Sequence, residues 1–332
     1  MKIKVVWVCL LAGMLSGAAA GQTSGVASSA PGPALPYTPS LDLNSMDRTV
    51  DPCVNFYQYS CGGWKKNNPI PPDQTSWSVY GKLYQDNLQF LKEILEQVST
   101  QTTVKRTPPE IQIGDFYASC MDEATVEKQG LAPIRGYLDA VGRLKTVNDI
   151  APLVAELQLV YGRRMLFTGG STQDPDDSEK IIAELDQGGL GLPDRDYYTK
   201  DDAKSRETQQ RYVQHVQKIF ELLNEEAAAA KKDADTVMRI ETALAKASMT
   251  RVDRRDPYKL KHKMKIADLH ALAPNFDWKA YYSVAPYPAF EILNVDTPDF
   301  FKSVNEQLKT EPIENWKTYL RYHIVDSASP YL

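Results

Sequence analysis

The spacing of apolar residues predicts a long helix in the first third of the chain. Between positions 78 and 98 the apolar side chains recur at steps of three and four residues, as they do along one side of an α-helix. Ser76 or Ser78 supplies the hydroxyl that an N-cap needs. Similar spacing predicts further helices over 109–128, 146–161, 202–223, 234–248, 266–272, 299–308 and 313–327.

Two short runs interrupt this helical pattern. The stretches MLFTGGSTQ and KIIAELDQ contain residues that favour strands, and the polar segment DPDDSE separates them. This order predicts a β-hairpin with a long loop. The chain is therefore expected to be mainly α, with a multi-helical domain over 41–332 that carries one small β-hairpin.

The first 40 residues have a different character. Lys2 and Lys4 precede an apolar stretch over 5–15 that is too short to cross a bilayer, and three alanines follow at 18–20. This order predicts an export signal over 1–20, with an uncleaved anchor as the alternative. Residues 21–40 are rich in Gly, Ser, Ala and Pro and predict a flexible linker. After signal cleavage no membrane span is expected.

Composition and charge narrow the classes of partner. The 332 residues are 42% apolar, which is enough for one large or two ordinary domains. The net charge is −5, and acids and bases are interspersed, whereas nucleic-acid binding needs a concentrated basic face. The basic runs at 163–164 and 251–255 are interpreted as solvated faces or local ion pairs. No nucleic-acid partner is expected.

Known catalytic patterns are missing from the sequence. The four histidines, His215, His262, His270 and His323, do not form H-E-x-x-H, the spacing that places two imidazoles around zinc. No nucleophile motif G-x-S-x-G and no phosphate-binding G-x-x-x-x-G-K-[ST] loop is present. The acidic segment DPDDSE lacks the oxygen spacing of a calcium loop. The chain itself predicts no catalytic residue, no metal ligand and no cofactor.

An odd number of cysteines follows the predicted signal. Cys9 lies in the apolar part of the signal and is expected to be removed with it. Cys53, Cys61 and Cys120 remain in an oxidising compartment, and an odd cysteine there suggests a partner outside the chain or a free thiol.

Two groups of aromatic residues lie next to these features. The first group comprises Phe56, Tyr57, Tyr59 and Trp64. We interpret these residues as packing around disulfides, with a binding surface as the alternative. Tyr197 and Tyr198 follow a glycine-rich turn and are interpreted as core or interface residues rather than reactive phenols.

Four stretches occur in an order that points to one family. DPCVNFYQYSCGGWKKNNPIP resembles the N-terminal part of the neprilysin and endothelin-converting-enzyme family of zinc metallopeptidases. FYASCMDE, GLGLPDRDYY and RRDPYKL resemble later motifs of that family, in the family's order. The resemblance extends over residues 46–332.

The resemblance implies an extracytoplasmic endopeptidase that cleaves peptides with a zinc-activated water. In that family the zinc-binding helix lies in a C-terminal catalytic half, and a helical N-terminal region encloses the active site. The chain is therefore expected to correspond to this lid region and to be truncated before the catalytic half. Zinc, peptide substrates and the C-terminal catalytic domain are expected only for a full-length form, and this chain alone is expected to be inactive.

The resemblance also bears on individual residues. The family's cysteines that match Cys53, Cys61 and Cys120 bond to cysteines further along the chain, beyond position 332; a Cys53–Cys61 bridge with a free Cys120 is the alternative. Some members contact substrate through an arginine and, five residues later, an aspartate. The matching positions here are Ser76 and Gly81, so no substrate-contact residue is carried over.

Three functions are compatible with the sequence. The first is the lid region of an exported zinc endopeptidase, in a periplasm or outside the cell. The second is a stand-alone exported peptide-binding module without catalysis. The third is the non-catalytic half of a split peptidase that a separate chain completes.

Overall fold

A computed structural model describes residues 42–100, 105–162, 165–284 and 288–332, so the predicted signal and linker lie outside the described residues. These ranges contain fourteen α-helices and four β-strands, and the predicted mainly α class is confirmed. The chain divides into two compact units at Met121 and Asp122. No helix in the described ranges combines the length and apolarity needed to span a bilayer.

Three helices make up most of the described part of the first unit. They are α1 (Phe56–Asn67), α2 (Val79–Thr100) and α3 (Pro108–Met121). Asn55 caps the start of α1, because its side chain accepts a hydrogen bond from the amide of Gln58. Helix α2 confirms the predicted long helix. Its capping hydroxyl is that of Ser78, which accepts the amide of Gly81 at 3.1 Å.

The helix predicted over 109–128 is in fact two helices. Helix α3 ends at Met121, and α4 covers Glu123–Gln129. Between them Asp122 accepts hydrogen bonds from both the amide and the hydroxyl of Thr125, so it caps a new helix. The apolar spacing did not reveal this break because a one-residue cap barely disturbs it. Helix α4 ends at Gly130 as predicted, with φ of 48°.

Ten further helices belong to the second unit, besides α4. The five long ones are α6 (Ile150–Tyr161), α8 (Ala203–Leu222), α9 (Ala227–Ala247), α13 (Pro298–Thr310) and α14 (Ile313–Ala328). The short ones are α5 (Arg135–Arg143), α7 (Asp196–Thr199), α10 (Pro257–Leu260), α11 (Ile266–Leu272) and α12 (Trp278–Val284). Asn224, with φ of 66°, lies in the turn that separates α8 from α9.

The strands form a four-stranded sheet rather than an isolated hairpin. Strands β1 (Phe167–Asp174) and β2 (Asp177–Gln187) pair antiparallel as predicted, but Pro175 and Asp176 alone form the turn, so the predicted long loop is wrong. Strand β3 (Lys263–Lys265) pairs antiparallel with β4 (Ile292–Val295), and β4 pairs parallel with β2. Strands of three and four residues carry too little alternation to be found in a sequence.

Aromatic side chains dominate one part of the second unit's core. The ring of Phe167, at the start of β1, lies 5.3 to 5.6 Å from the rings of Phe276, Trp278, Tyr281 and Phe301. All five side chains are at most 2% exposed. Their tilted and edge-to-face contacts attach the sheet to α12 and α13.

Candidate functional site

The motif that contains Cys53 and Cys61 forms part of the wall of a cleft in the first unit. This aromatic cleft has a volume of about 470 Å³, the size of a small-ligand pocket. Its wall is largely apolar and includes Tyr57, Trp64, Pro69, Ile70, Trp77 and Tyr80. Cys61 and Lys65 complete the α1 side. Ser76 and Gly81 flank the lining residues at the start of α2.

Two of the predicted packing residues instead face solvent. Phe56 and Tyr57 are 69% and 64% exposed. Their packing around disulfides stays a prediction, because the expected disulfide partners lie outside this chain. The ammonium of Lys65 lies 5.4 Å from the centre of the Tyr57 ring, within reach of a cation–π interaction. This part of α1 is therefore an exposed aromatic surface, and its alternative interpretation as a binding surface also stays a prediction.

All three predicted thiols lie in the first unit. Cys53 and Cys120 are exposed, Cys61 is half-buried, and no disulfide joins them in the described ranges. The Cys61 sulfur lies 3.5 Å from the hydroxyl of Ser60. Exposed thiols are accessible to reagents and to partner cysteines. Pairing with cysteines outside the chain stays a prediction.

Two segments that are distant in sequence, the end of β2 and the chain after α9, contact each other in the second unit. Both terminal nitrogens of Arg254, from RRDPYKL, donate to the carboxylate of Asp186 at 2.7 and 2.6 Å. The side chain of Gln187 accepts the amide of Met249 at 2.6 Å and donates to its carbonyl at 3.3 Å. Of the two interpretations of the basic run 251–255, solvated face or ion pair, the structure shows an ion pair for Arg254. Its bidentate ion pair fixes the end of β2 to the chain that follows α9.

The buried carboxylate of Glu241 contacts Tyr198 of the glycine-rich motif GLGLPDRDYY. Glu241 of α9 accepts hydrogen bonds from the phenols of Tyr198 and Tyr212 at 2.7 and 2.8 Å. Burial, followed by the charge of Glu241, raises the pKa of both phenols, so they are protonated donors at neutral pH. The Nε2 atom of His323 lies 2.8 Å from the other carboxylate oxygen, outside hydrogen-bond angles. Glu241 and His323 are both fully buried.

This buried cluster was only partly predictable. Tyr198 is buried, as expected of a core residue, while its neighbour Tyr197 is 39% exposed. The sequence contained no signal for His323 because its partners lie on other helices. His215 and His270 are exposed, and the structure brings neither of them to the cluster.

The residues of this chain do not fit the zinc ion that the resemblance implies. No group of three or more His, Cys, Asp or Glu side chains in the described ranges is placed to hold a metal ion. The whole sequence lacks H-E-x-x-H. We therefore assign no catalytic step to these residues.

Comparisons with known proteins point to metallopeptidases. The family model for the N-terminal region of "Peptidase family M13" matches residues 52–332. An endothelin-converting enzyme homolog from Locusta migratoria is 31% identical over 309 residues, covering 87% of this chain and 42% of the relative. Neprilysin-3 from Drosophila melanogaster is 30% identical over 308 residues, covering 88% and 39%. The chain thus spans about two fifths of the length of the curated relatives it matches.

A solved structure shares the same architecture. The crystal structure of Mycobacterium tuberculosis zinc metalloprotease Zmp1 in complex with an inhibitor aligns with a TM-score of 0.79 and 25% sequence identity. The alignment covers 88% of this chain and 44% of that one. The arrangement of helices and the small sheet is therefore shared with part of a larger protein.

Proposed function

The chain belongs to peptidase family M13, and on that premise we propose that it is the substrate-enclosing region of an exported, neprilysin-like zinc metalloendopeptidase. The match to the family's N-terminal region over residues 52–332 carries the proposal. The residues that bind zinc and activate water belong, in this proposal, to a catalytic half that is not among these 332 residues. The chain contributes helical walls that admit and hold peptides.

The surface of the first unit supports a position next to another polypeptide. Large apolar side chains along α2 are exposed: Val79, Tyr80, Leu83, Tyr84, Leu88 and Leu91. Tyr80 is 84% exposed. A helix that presents a row of apolar residues to solvent is typical of a contact surface. The exposed thiols of Cys53 and Cys120 lie in the same unit, which favours the catalytic half as the partner.

The mass of the native exported protein tests the proposal directly. We expect a single chain, considerably heavier than these 332 residues, whose mass is unchanged by reductant. A native product of this length minus its signal would contradict the proposal and favour a stand-alone peptide-binding module, for which the aromatic cleft is the supporting observation. A heavy species that separates into two chains on reduction would favour the split peptidase.

The activity of the isolated chain provides an independent test. Purified protein of this sequence is incubated with a quenched fluorescent peptide, with and without a zinc chelator. We expect no chelator-sensitive hydrolysis, because the groups that would hold zinc and act as general base are not in the sequence. Hydrolysis that the chelator abolishes would contradict the assignment of catalysis to another part of the protein.

A further inference from the structure

A second cleft lies beside the glycine-rich motif in the second unit. This arginine cleft has a volume of about 370 Å³. One side is formed by the end of β2 and the loop that follows it, over 186–195. The other side is formed by Ser248, Met249, Arg251 and Arg254 after α9. Its size suits a small ligand or the end of a peptide.

One arginine in the lining of the arginine cleft forms no ion pair with a carboxylate of the described residues. Asp186 neutralises Arg254, and Asp194 neutralises Arg251 by an ion pair to its Nε. The third arginine, Arg195, donates its Nε to the carbonyl of Ala245 at 3.1 Å. No carboxylate in the described ranges lies within ion-pair distance of Arg195.

Arg195 is held in place, and among the described residues its two terminal nitrogens have no hydrogen-bond partner. The Nε hydrogen bond fixes one edge of the guanidinium, and Arg195 is the N-cap residue that precedes α7. Asp253, whose charge also reaches Arg195, is already paired with Lys259. A positioned guanidinium with two parallel N–H donors matches the geometry of a carboxylate. Because the side chain is already ordered, binding costs less conformational entropy.

Apolar side chains form the rest of the wall. Leu190, Leu192, Pro193 and Met249 line the arginine cleft together with the charged groups. A carboxylate attached to an apolar residue would therefore find a charged contact and an apolar contact in one place. Free inorganic anions would use only the first of these.

We propose that the arginine cleft binds the carboxylate of a peptide, with Arg195 as the residue that recognises the charge. The apolar wall then receives the side chain adjacent to that carboxylate. The choice of a peptide as ligand rests on the proposed function. A C-terminal carboxylate and an acidic side chain present the same group, and the experiment distinguishes them.

The test is a calorimetric titration of the full chain with three N-acetylated tetrapeptides. One ends in leucine with a free carboxylate, the second is its C-terminal amide, and the third is an amide with an internal glutamate. A charge-assisted hydrogen bond predicts roughly 10-fold tighter binding of the free acid than of the plain amide. Arg195→Gln is expected to remove this difference. Arg211→Gln is the matched control, since Arg211 is an exposed arginine paired with Glu207, and it should retain the difference.

The outcomes separate the site from the proposed function. Tight binding of the glutamate peptide, lost in Arg195→Gln, would support the site with an acidic side chain as its ligand. Equal affinity for the free acid and both amides would overturn the site while leaving the enclosing role intact. No peptide binding at all would also overturn the site, whereas the mass and activity measurements test the function separately. Arg195→Lys keeps the positive charge and should keep part of the preference for the free acid over the amide. The comparison of the free acid with the amide uses the unchanged chain, so it does not depend on whether a variant folds.

Discussion

The phenolic oxygen of Tyr198 lies 2.7 Å from a carboxylate oxygen of Glu241, and both residues are buried. The same phenolic oxygen accepts the amide of Leu192 at 2.8 Å. One hydroxyl therefore joins the glycine-rich loop to helix α9. Since buried polar groups are costly when left without partners, this contact is expected to contribute to the stability of the second unit.

Tyr198→Phe should lower the free energy of unfolding. The substitution leaves the amide of Leu192 without an acceptor and removes one donor from Glu241, and such a loss costs about 2–3 kcal/mol. Urea denaturation followed by circular dichroism measures the change. Tyr197→Phe is the matched control, because its ring is 39% exposed, and a change within about 0.5 kcal/mol is expected. Similar effects of the two substitutions would contradict the assigned role of the hydroxyl.

Gly189→Ala should destabilise the chain more strongly than an ordinary glycine substitution. Gly189 has φ of 73°, and an added Cβ would lie 2.6 Å from the carbonyl oxygen of Leu166 and 2.5 Å from the hydroxyl of Tyr319. Backbone strain and overpacking together predict a loss of about 3 kcal/mol in the free energy of unfolding.

Gly136→Ala provides the control for this prediction. An added Cβ at Gly136, in α5, meets no atom within 4 Å. Alanine in a helix is favoured over glycine, so stability is expected to stay the same or rise by about 0.5–1 kcal/mol. Thermal melts of both variants measure the difference in stability. An alanine at position 189 that leaves stability unchanged would contradict the close approach of Leu166 and Tyr319 to Gly189.

Asp296 should make the stability of the chain fall between pH 4 and pH 7. Burial, with the charges of Glu184 and Asp186 adding to it, raises the pKa of Asp296 to about 7. In this pH range the folded state holds a proton that the unfolded state has released, so the free energy of unfolding decreases as pH rises. The contribution is present below pH 4 and is lost as pH rises through 7.

Asp296→Asn is expected to remove this dependence. Relative to the wild type, the variant should gain on the order of 1–2 kcal/mol of stability between pH 4 and pH 8. Denaturation at both pH values measures the difference. Asp299→Asn changes an exposed carboxylate on α13 and should show a smaller pH-dependent difference. A constant offset for Asp296→Asn across this range would be evidence against the raised pKa.

The three thiols should react with maleimide at different rates in the reduced chain. Cys53 and Cys120 are exposed, whereas Cys61 is half-buried at the wall of the aromatic cleft. Accessibility therefore predicts that Cys53 and Cys120 are labelled several-fold faster than Cys61. Peptide mapping by mass spectrometry after short labelling times measures each site, and labelling in urea should equalise them. Fast labelling of Cys61 in the folded chain would show that the cleft is more open than described.

The apolar periodicity of the sequence was sufficient to predict the long helices. Helices such as α2 and α14 bury or present one side over several turns, so their pattern repeats often enough to be recognised. The four motifs, in their order along the chain, were likewise sufficient to indicate the family. Asp122 and the strands β3 and β4 were missed, because a cap or a three-residue strand leaves almost no periodic signal.

Contacts between distant elements required the folded chain. In the sequence Arg254 is one of several basic residues, yet in the structure it forms a bidentate pair with Asp186. The gathering of Tyr198, Tyr212 and His323 around Glu241 was equally hidden, since each residue is brought there by a different helix. Local preferences act over a few neighbouring residues, so the sequence shows which segments form helices and which family they belong to. Burial, charge pairing and the shapes of both clefts arise only when those segments pack, because each depends on partners that the local sequence does not specify.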